Sequence, residues 1–94
     1  MAIRSFGDKR TEKVFRGEQQ KRLDAILEKK AFRCLRRIDS AVKIDDLRFP
    51  PSHKLEKKKG DLKDFHAIWV NTQWSIIFRW EDGNAYDVRL VDYH

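Results

Sequence analysis

The sequence predicts an α+β fold, with an N-terminal strand and two helices packed on one face of an antiparallel β-sheet. Two observations support this prediction. In the first half of the chain, apolar residues recur every three or four positions, which is the period of a helix with one buried face. In the second half they alternate with polar residues, which is the period of a strand. The length of 94 residues fits one domain, so residues 1–94 are expected to form a single domain.

A short strand and two helices are predicted in the first half. The strand is Ile3 to Phe6, and the first helix begins after Asp8, a good N-cap residue, and ends at Gly17. A longer helix is predicted from about Glu18 to Ala41. Its apolar stripe contains Leu23, Ile26, Leu27, Ala31, Cys34, Leu35, Ile38 and Val42. Because Cys34 lies on this stripe, it is expected to be a core residue rather than a nucleophile.

The middle of the chain, from Asp45 to Lys59, is predicted to be a connection. Pro50–Pro51 excludes an α-helix there and favours an extended path, and Gly60–Asp61 marks a turn. Strands are then predicted over Phe65 to Val70, over Trp74 to Trp80 and after Asp82–Gly83, a dipeptide typical of tight hairpins. The inward positions of the last strand are predicted to be Tyr86, Val88 and Leu90.

The two faces of the predicted sheet differ in character. The side chains expected to pack under the long helix are Trp74, Ile76, Phe78 and Trp80. Those expected to point away from it are Ser75, Arg79, Asp87 and Arg89. A face with arginines can bind single-stranded RNA, because phosphates contact the cations and bases stack on aromatic rings or guanidinium groups. A cross-strand ion pair between Arg79 and Asp87 is the alternative.

Charge and composition narrow the class of protein. The chain has 21 Lys and Arg against 15 Asp and Glu, and its formal net charge of +6 favours a polyanionic partner such as nucleic acid. A lone cysteine and the absence of a signal peptide or membrane-spanning run predict a cytoplasmic protein without membrane association. A lysine-rich segment runs from His53 to Lys63. It is either a track that binds phosphates or a solvated loop. The cations expected to contact RNA are Lys54, Lys57, Lys58, Lys63, Arg79 and Arg89.

The sequence contains no motif for a nucleotide cofactor or a metal ion, so neither is expected. There is no glycine-rich phosphate-binding loop, and His53, His66 and His94 lack the spacing of zinc ligands. RNA carries its own nucleophile, the 2′-hydroxyl, so its cleavage needs a base, an acid and cations that stabilise the pentacoordinate phosphate. Histidine suits the proton transfers because its pKa lies near neutrality.

Six segments along the chain carry a resemblance to a known protein family, and their joint occurrence is more specific than any one of them. They are Ile3–Phe6, Leu47–Pro51, Lys54–Asp61, Trp74–Gly83, Ala85–Val88 and Val91–His94. Together they resemble the HigB toxins of the RelE/ParE superfamily, and the resemblance covers essentially the whole chain. It implies a RelE-like fold and a toxin that enters the ribosomal A site and cuts translated mRNA. The implied cleavage proceeds by 2′-hydroxyl attack without a metal ion or other cofactor.

The resemblance also implies partners and site residues. The partners are mRNA on the ribosome and a HigA-type antitoxin with a helix-turn-helix domain, with operator DNA bound only through the toxin–antitoxin complex. By position in the motifs, His94 would transfer a proton as acid or base, and Lys59 would stabilise the phosphate. Tyr93 would stack on a base or orient the nucleotide, and Asp92 would orient a cation or the histidine.

Two positions depart from the family pattern. Glu56 stands where members often have histidine, and Ser75 stands where arginine is usual. Glu56 is either a carboxylate base or a surface residue, and Arg79, on the same sheet face as Ser75, is the candidate replacement for the missing charge. Two other functions stay open: a ParE-like gyrase inhibitor, which would not depend on His94, and a catalytically degenerate module that binds RNA or antitoxin.

Overall fold

The computed structural model describes residues 1–92 and contains two helices, whose N-termini are both capped by aspartate. Helix α1 spans Lys9–Phe15, and the Asp8 side chain accepts a hydrogen bond from the Thr11 amide at 2.8 Å, which confirms the predicted cap. Helix α2 spans Ala25–Ser40 and begins after Asp24. The predicted start near Glu18 was therefore wrong by about two turns of helix.

The predicted apolar stripe of α2 is confirmed at six of its eight positions. Two members are wrong: Ile26 is 66% exposed and Val42, beyond the end of the helix, is 80% exposed. The buried members are Leu23, Leu27, Ala31, Cys34, Leu35 and Ile38. They form one core cluster with the sheet residues Ile76, Phe78, Val88 and Leu90, so α2 packs on one face of the sheet.

The segment predicted as a connection contains regular structure. Short 3₁₀ turns occur at Ile44–Arg48, Pro51–His53 and Gly60–Leu62, and a two-residue strand, β1, occurs at Glu56–Lys57. Pro50 is extended as predicted, but Pro51 starts the second turn because its fixed φ also suits the first position of a helical turn.

The remaining strands are β2 (Phe65–Trp69), β3 (Trp74–Glu81) and β4 (Asn84–Asp92). All neighbouring pairs are antiparallel, in the order β1-β2-β3-β4. The hairpin between β3 and β4 turns at Asp82 and Gly83, both with positive φ, as predicted from that dipeptide. Across residues 1–92, no helix has the length and apolar character needed to cross a bilayer.

The N-terminal segment runs along the outer edge of β4 without forming a continuous strand. Ile3 and Phe6 make isolated parallel bridges to Ala85 and Val88, so the predicted opening strand is reduced to two bridges. Farther along, the Leu90 amide donates to the Thr11 hydroxyl at 2.8 Å. These contacts cover backbone groups that would otherwise be exposed at the sheet edge.

A β-bulge interrupts the alternation of β4. Ile77 pairs with Arg89 but Arg79 pairs with Tyr86, so two residues of β4, Asp87 and Val88, lie opposite one residue of β3. Asp87 accordingly has a positive φ of 54°. The prediction that Tyr86 shares the core face with Val88 was wrong, because the bulge moves Tyr86 to the other face and leaves Ala85 buried in the core.

Candidate functional site

We call the face of the sheet opposite α2 the second face. The strand register places on it Phe65, Ala67 and Trp69 of β2, Ser75, Ile77 and Arg79 of β3, and Tyr86, Arg89 and Val91 of β4. Its centre is buried rather than open, since Ala67, Ser75 and Ile77 are shielded from solvent. Ser75 lies on the predicted face, but its hydroxyl is buried between its register partners and has no hydrogen-bond partner among residues 1–92.

At one end of the second face, Arg79 is neutralised within the sheet. Its Nε donates to Asp87 Oδ2 at 2.9 Å, and its guanidinium carbon lies 5.5 Å from the centroid of the Tyr86 ring. The structure thus contains the cross-strand ion pair that was the alternative to an RNA contact. Arg79 is also four residues from Ser75 along β3, about 13 Å, too far to supply a cation at that position.

Arg89, in the middle of the second face, has a different environment. Its guanidinium carbon lies 5.5 Å from the centroid of the Phe65 ring, and its Nε is buried without a hydrogen-bond partner. No ion pair to Arg89 occurs among the described residues. Its aliphatic chain crosses Gly7 so closely that a Cβ atom on that glycine would overlap the arginine's Cγ and Cδ. Arg89 therefore brings to this face a positive charge that no acidic side chain of residues 1–92 compensates.

Lys58 is the lysine that lies along the second face. Its backbone amide donates to the Phe65 carbonyl at 2.8 Å, and its Nζ lies 5.8 Å from the centroid of the Trp69 ring. The side chain is only 11% exposed, and Nζ lies 3.0 Å from Glu56 Oε1. Glu56 thus forms an ion pair with Lys58. The Lys58 side chain extends along β2, from its backbone contact at Phe65 to its ammonium group near Trp69.

The other predicted lysines are exposed. Lys57, Lys59 and Lys63 line, together with Lys58, a shallow pocket of about 560 Å³. Lys57 is paired in register with His66, on the helix side of the sheet. Lys54 is exposed, has a left-handed φ of 46° and lines a different pocket.

The C-terminal motif begins where β4 ends. Asp92 is paired with Trp74, and its Oδ1 accepts from Gln73 Nε2 at 3.1 Å. Trp69 is paired with Ser75, the residue after Trp74 in β3. The Trp69 ring, and the Lys58 ammonium beside it, therefore lie at the same end of the sheet as Asp92. The predicted site residues Tyr93 and His94 lie outside the described residues.

Two histidines and the cysteine are partly or fully buried on the helix side. Burial, with help from the charge of Lys57, lowers the pKa of His66, whose ring stacks on Phe78 at 6.0 Å. Burial also lowers the pKa of His53 and raises that of the Cys34 thiol to about 11, and His53 Nε2 lies 3.7 Å from Cys34 Sγ. The prediction that Cys34 is a core residue is confirmed. Within residues 1–92, no three His, Cys, Asp or Glu side chains are grouped to hold a metal ion.

Comparison with known proteins identifies the family. A family model described as the RelE-like toxin of the type II toxin–antitoxin system HigB matches residues 4–94. The chain belongs to the HigB-like toxin family. The resemblance seen in the motifs is thereby confirmed, and membership of a toxin–antitoxin system implies an antitoxin partner.

Individual relatives agree with this HigB-like assignment. Toxin HigB-1 of Vibrio cholerae is 37% identical over 86 residues, which is 90% of each chain. Endoribonuclease HigB of Proteus vulgaris is 37% identical over 60 residues, which is 64% of each chain. The structure of the YoeB dimer from Staphylococcus aureus matches with a TM-score of 0.59 at 20% identity, covering 100% of this chain and 97% of that chain. The α+β, RelE-like fold is confirmed.

Sequence reasoning missed three residues that shape the second face of this HigB-like toxin. Phe65 and Trp69 support the two cations, and Gly7 makes room for Arg89. The alternation of β2 gave no indication of the aromatic contacts, because apolar residues occupy both of its faces. A glycine directly before a helix N-cap was the available signal for a close approach at residue 7.

Proposed function

We propose that this HigB-like toxin is an endoribonuclease that cleaves mRNA during translation, by 2′-hydroxyl attack and without a metal ion. The observation that carries the proposal is the pair of cations on the second face, Arg89 without an acidic partner among residues 1–92 and Lys58 held against Trp69. Cations fixed beside aromatic rings suit a single RNA strand, because they contact phosphates while bases stack. The name of the Proteus vulgaris relative, Endoribonuclease HigB, supports the same activity.

The proposed reaction needs one proton removed and one delivered. The 2′-oxygen loses its proton and bonds to phosphorus, the bond to the 5′-oxygen breaks, and that oxygen takes up a proton. The products are a 2′,3′-cyclic phosphate and a 5′-hydroxyl. His94 would carry one of these transfers, with Asp92 orienting its ring and Tyr93 stacking on a base.

The charge that builds up on the phosphate needs fixed cations, and we assign this role first to Lys58 and Arg89. Lys59, which the motif comparison favours, lies exposed at the pocket of lysines and would guide RNA towards the face together with Lys54, Lys57 and Lys63. Glu56 would position Lys58 rather than act as the base, because its carboxylate is already paired with that ammonium.

Partners and location complete the proposal. Residues 1–94 would act as one toxin domain in the cytoplasm, where translating ribosomes supply the mRNA. A HigA-type antitoxin with a helix-turn-helix domain would neutralise the toxin, and operator DNA would be bound only by that complex. Because binding to ribosomal RNA would release counterions, the affinity for ribosomes should fall as salt rises.

The test compares His94→Gln with wild type under tightly controlled expression in bacteria, with mRNA 5′ ends mapped. Wild type should arrest growth and produce new ends within translated codons, and His94→Gln should do neither. His66→Gln is the matched control, because it makes the same substitution at a histidine on the helix side of the sheet. It should remain toxic, provided that its melting temperature stays close to that of wild type.

A noncatalytic function has one observation in its favour. Ser75, at the position where family members usually have arginine, is buried and uncharged, so this chain has one cation fewer for the phosphate. Equal toxicity of wild type and His94→Gln, with no new mRNA ends, would favour a gyrase inhibitor. Absence of both toxicity and new ends, with antitoxin binding retained, would favour a degenerate binding module.

A further inference from the structure

A second basic cavity lies outside the face described above. It has a volume of about 630 Å³ and is formed by α2, the Pro51–His53 turn and the connection between β2 and β3. Lys30 and Arg33 project into it from one side of α2, and Lys54 does so from the turn. Among the described residues, none that lines the cavity is acidic. Within residues 1–92, the cavity therefore concentrates positive charge without a carboxylate to compensate it.

The floor of the cavity is uncharged at neutral pH. Burial raises the pKa of Cys34 and lowers the pKa of His53, so the thiol keeps its proton and the imidazole is neutral. Asn71, on the rim, accepts hydrogen bonds at Oδ1 from the amides of Gln73 and Trp74, which leaves its carboxamide NH₂ to donate. A neutral floor with polar groups under a cationic rim suits a ligand with a flat heterocycle and a phosphate.

Trp69 connects this cavity with the second face. The residue lines the cavity, and its ring also lies 5.8 Å from the Lys58 ammonium on the second face. Strand β1 pairs only with His66 and Ala67, so it does not cover the Trp69 end of β2. Within residues 1–92, a chain lying across the second face would pass this edge of the sheet to enter the cavity.

We infer that this cavity is a nucleotide subsite, in which Lys30, Arg33 and Lys54 bind a phosphate while the Trp69 ring, at the boundary with the second face, packs against the adjoining base. The inference rests on the proposed function, since the occupant is a further nucleotide of the RNA strand bound on the second face. The subsite lengthens the RNA footprint beyond the reacting phosphate. It gives α2, whose other face belongs to the core, a direct part in substrate binding.

The test measures binding of a fluorescent, fully 2′-O-methylated hexaribonucleotide, which cannot be cleaved, to the full-length protein. The variant Lys30→Gln/Arg33→Gln is compared with Lys9→Gln/Lys29→Gln, which removes the same charge at exposed helical positions that do not line the cavity. The cavity pair should weaken binding about tenfold and lower the slope of log affinity against log salt by about 0.7, the value for one lost phosphate contact on a single strand. The control pair should change the affinity less than about twofold, since neither of its side chains lines the cavity and exposed charges are screened by salt.

The base contact is tested separately with Trp69→Leu and Trp69→Phe. Leucine should weaken binding of the hexaribonucleotide, and phenylalanine should restore most of it because it keeps an aromatic face. Adenosine monophosphate should compete only at much higher concentration, since it fills the cavity without reaching the second face. Competition by a hexaglutamate peptide as strong as that of the RNA would overturn the inference in favour of a surface for acidic protein segments.

The inference and the proposed function can fail independently. Equal affinities of the cavity pair and the control pair would overturn the subsite even if His94→Gln abolishes mRNA cleavage. A selective loss of oligonucleotide binding in the cavity pair would support the subsite even if wild type produces no new mRNA ends, and the protein would then bind RNA without cutting it.

Discussion

The two arginines of the second face have the same predicted orientation but opposite environments. Arg79, near one end of β3, is paired with Asp87 across the bulged strand. Arg89, in the middle of the face, is packed on Phe65 and has no ion-pair partner among residues 1–92. The difference shows that the face a cation occupies does not decide whether its charge is available to a phosphate. For these two arginines, the difference is that a carboxylate already pairs with Arg79.

The largest effect is expected from Arg89→Gln. Removing this cation should lower ribosome-dependent mRNA cleavage about 100-fold, within the range for loss of one group that stabilises transition-state charge. The measurement is the cleavage rate of a labelled mRNA in a reconstituted translation reaction. Arg89→Lys should recover part of the rate, because it keeps the charge but not the planar guanidinium group over Phe65.

A loss of stability would produce a false positive here, so the melting temperature of each Arg89 variant must be measured as well. Cleavage by a stably folded Arg89→Gln at close to the wild-type rate would remove the contrast between the two arginines.

Lys58 and Lys59 extend the comparison to two neighbours in the chain. Lys58→Gln should lower mRNA cleavage about tenfold, because its ammonium is held at Trp69 near the Asp92 end of the sheet. Lys59→Gln should change the rate less than about threefold, because the side chain is exposed on the rim of a pocket that holds other lysines. Both rates come from the same translation assay, and a larger effect of Lys59→Gln would reassign the phosphate contact as the family motif suggests.

The core was more predictable from the sequence than the site, for a physical reason. The helical stripe around Leu35 and the alternation around Phe78 repeat a period several times, so one deviating residue does not obscure them. The start of α2 was missed because it depends on a single cap, Asp24, and β1 was missed because two residues cannot display a period. The bulge at Asp87 breaks the period and therefore reversed the predicted orientation of Tyr86.

The candidate site depends on contacts between distant segments, which no local pattern contains. Sequence reasoning correctly placed Arg79 and Arg89 away from the helix, but their partners come from tertiary structure. The position of Lys58 depends on Trp69, and the path of Arg89 depends on Gly7 at the other end of the chain. Motif spacing could not indicate that Lys58 is a better candidate than Lys59 for the phosphate contact. The structure favours Lys58 because its side chain is largely buried, whereas that of Lys59 is exposed.

Gly7→Ala is expected to act through Arg89 and to have an intermediate effect. The new methyl group would occupy the space of the Arg89 Cγ and Cδ, so the guanidinium group must leave its position over Phe65. Cleavage should fall about fivefold, by analogy with the cost of misplacing a catalytic group. In a double-mutant cycle, Gly7→Ala should add little to Arg89→Gln, because both changes remove the same contact. Independent, multiplicative losses would show that Gly7 acts on something other than Arg89.

The smallest effect is expected from Arg79→Gln, and Asp87→Asn tests the same pair from the other side. Arg79→Gln should leave mRNA cleavage within about twofold of wild type and cost less than about 1 kcal/mol of unfolding free energy, as is usual for an exposed cross-strand ion pair. Asp87→Asn keeps a side chain that tolerates the positive φ of the bulge but removes the compensating charge. It should therefore tighten binding of single-stranded RNA a few-fold at low salt, because Arg79 then becomes available to a phosphate. Unchanged RNA affinity in Asp87→Asn, with a strong loss of cleavage in Arg79→Gln, would mean that the carboxylate does not mask Arg79, and the two arginines would then have to be treated as equivalent.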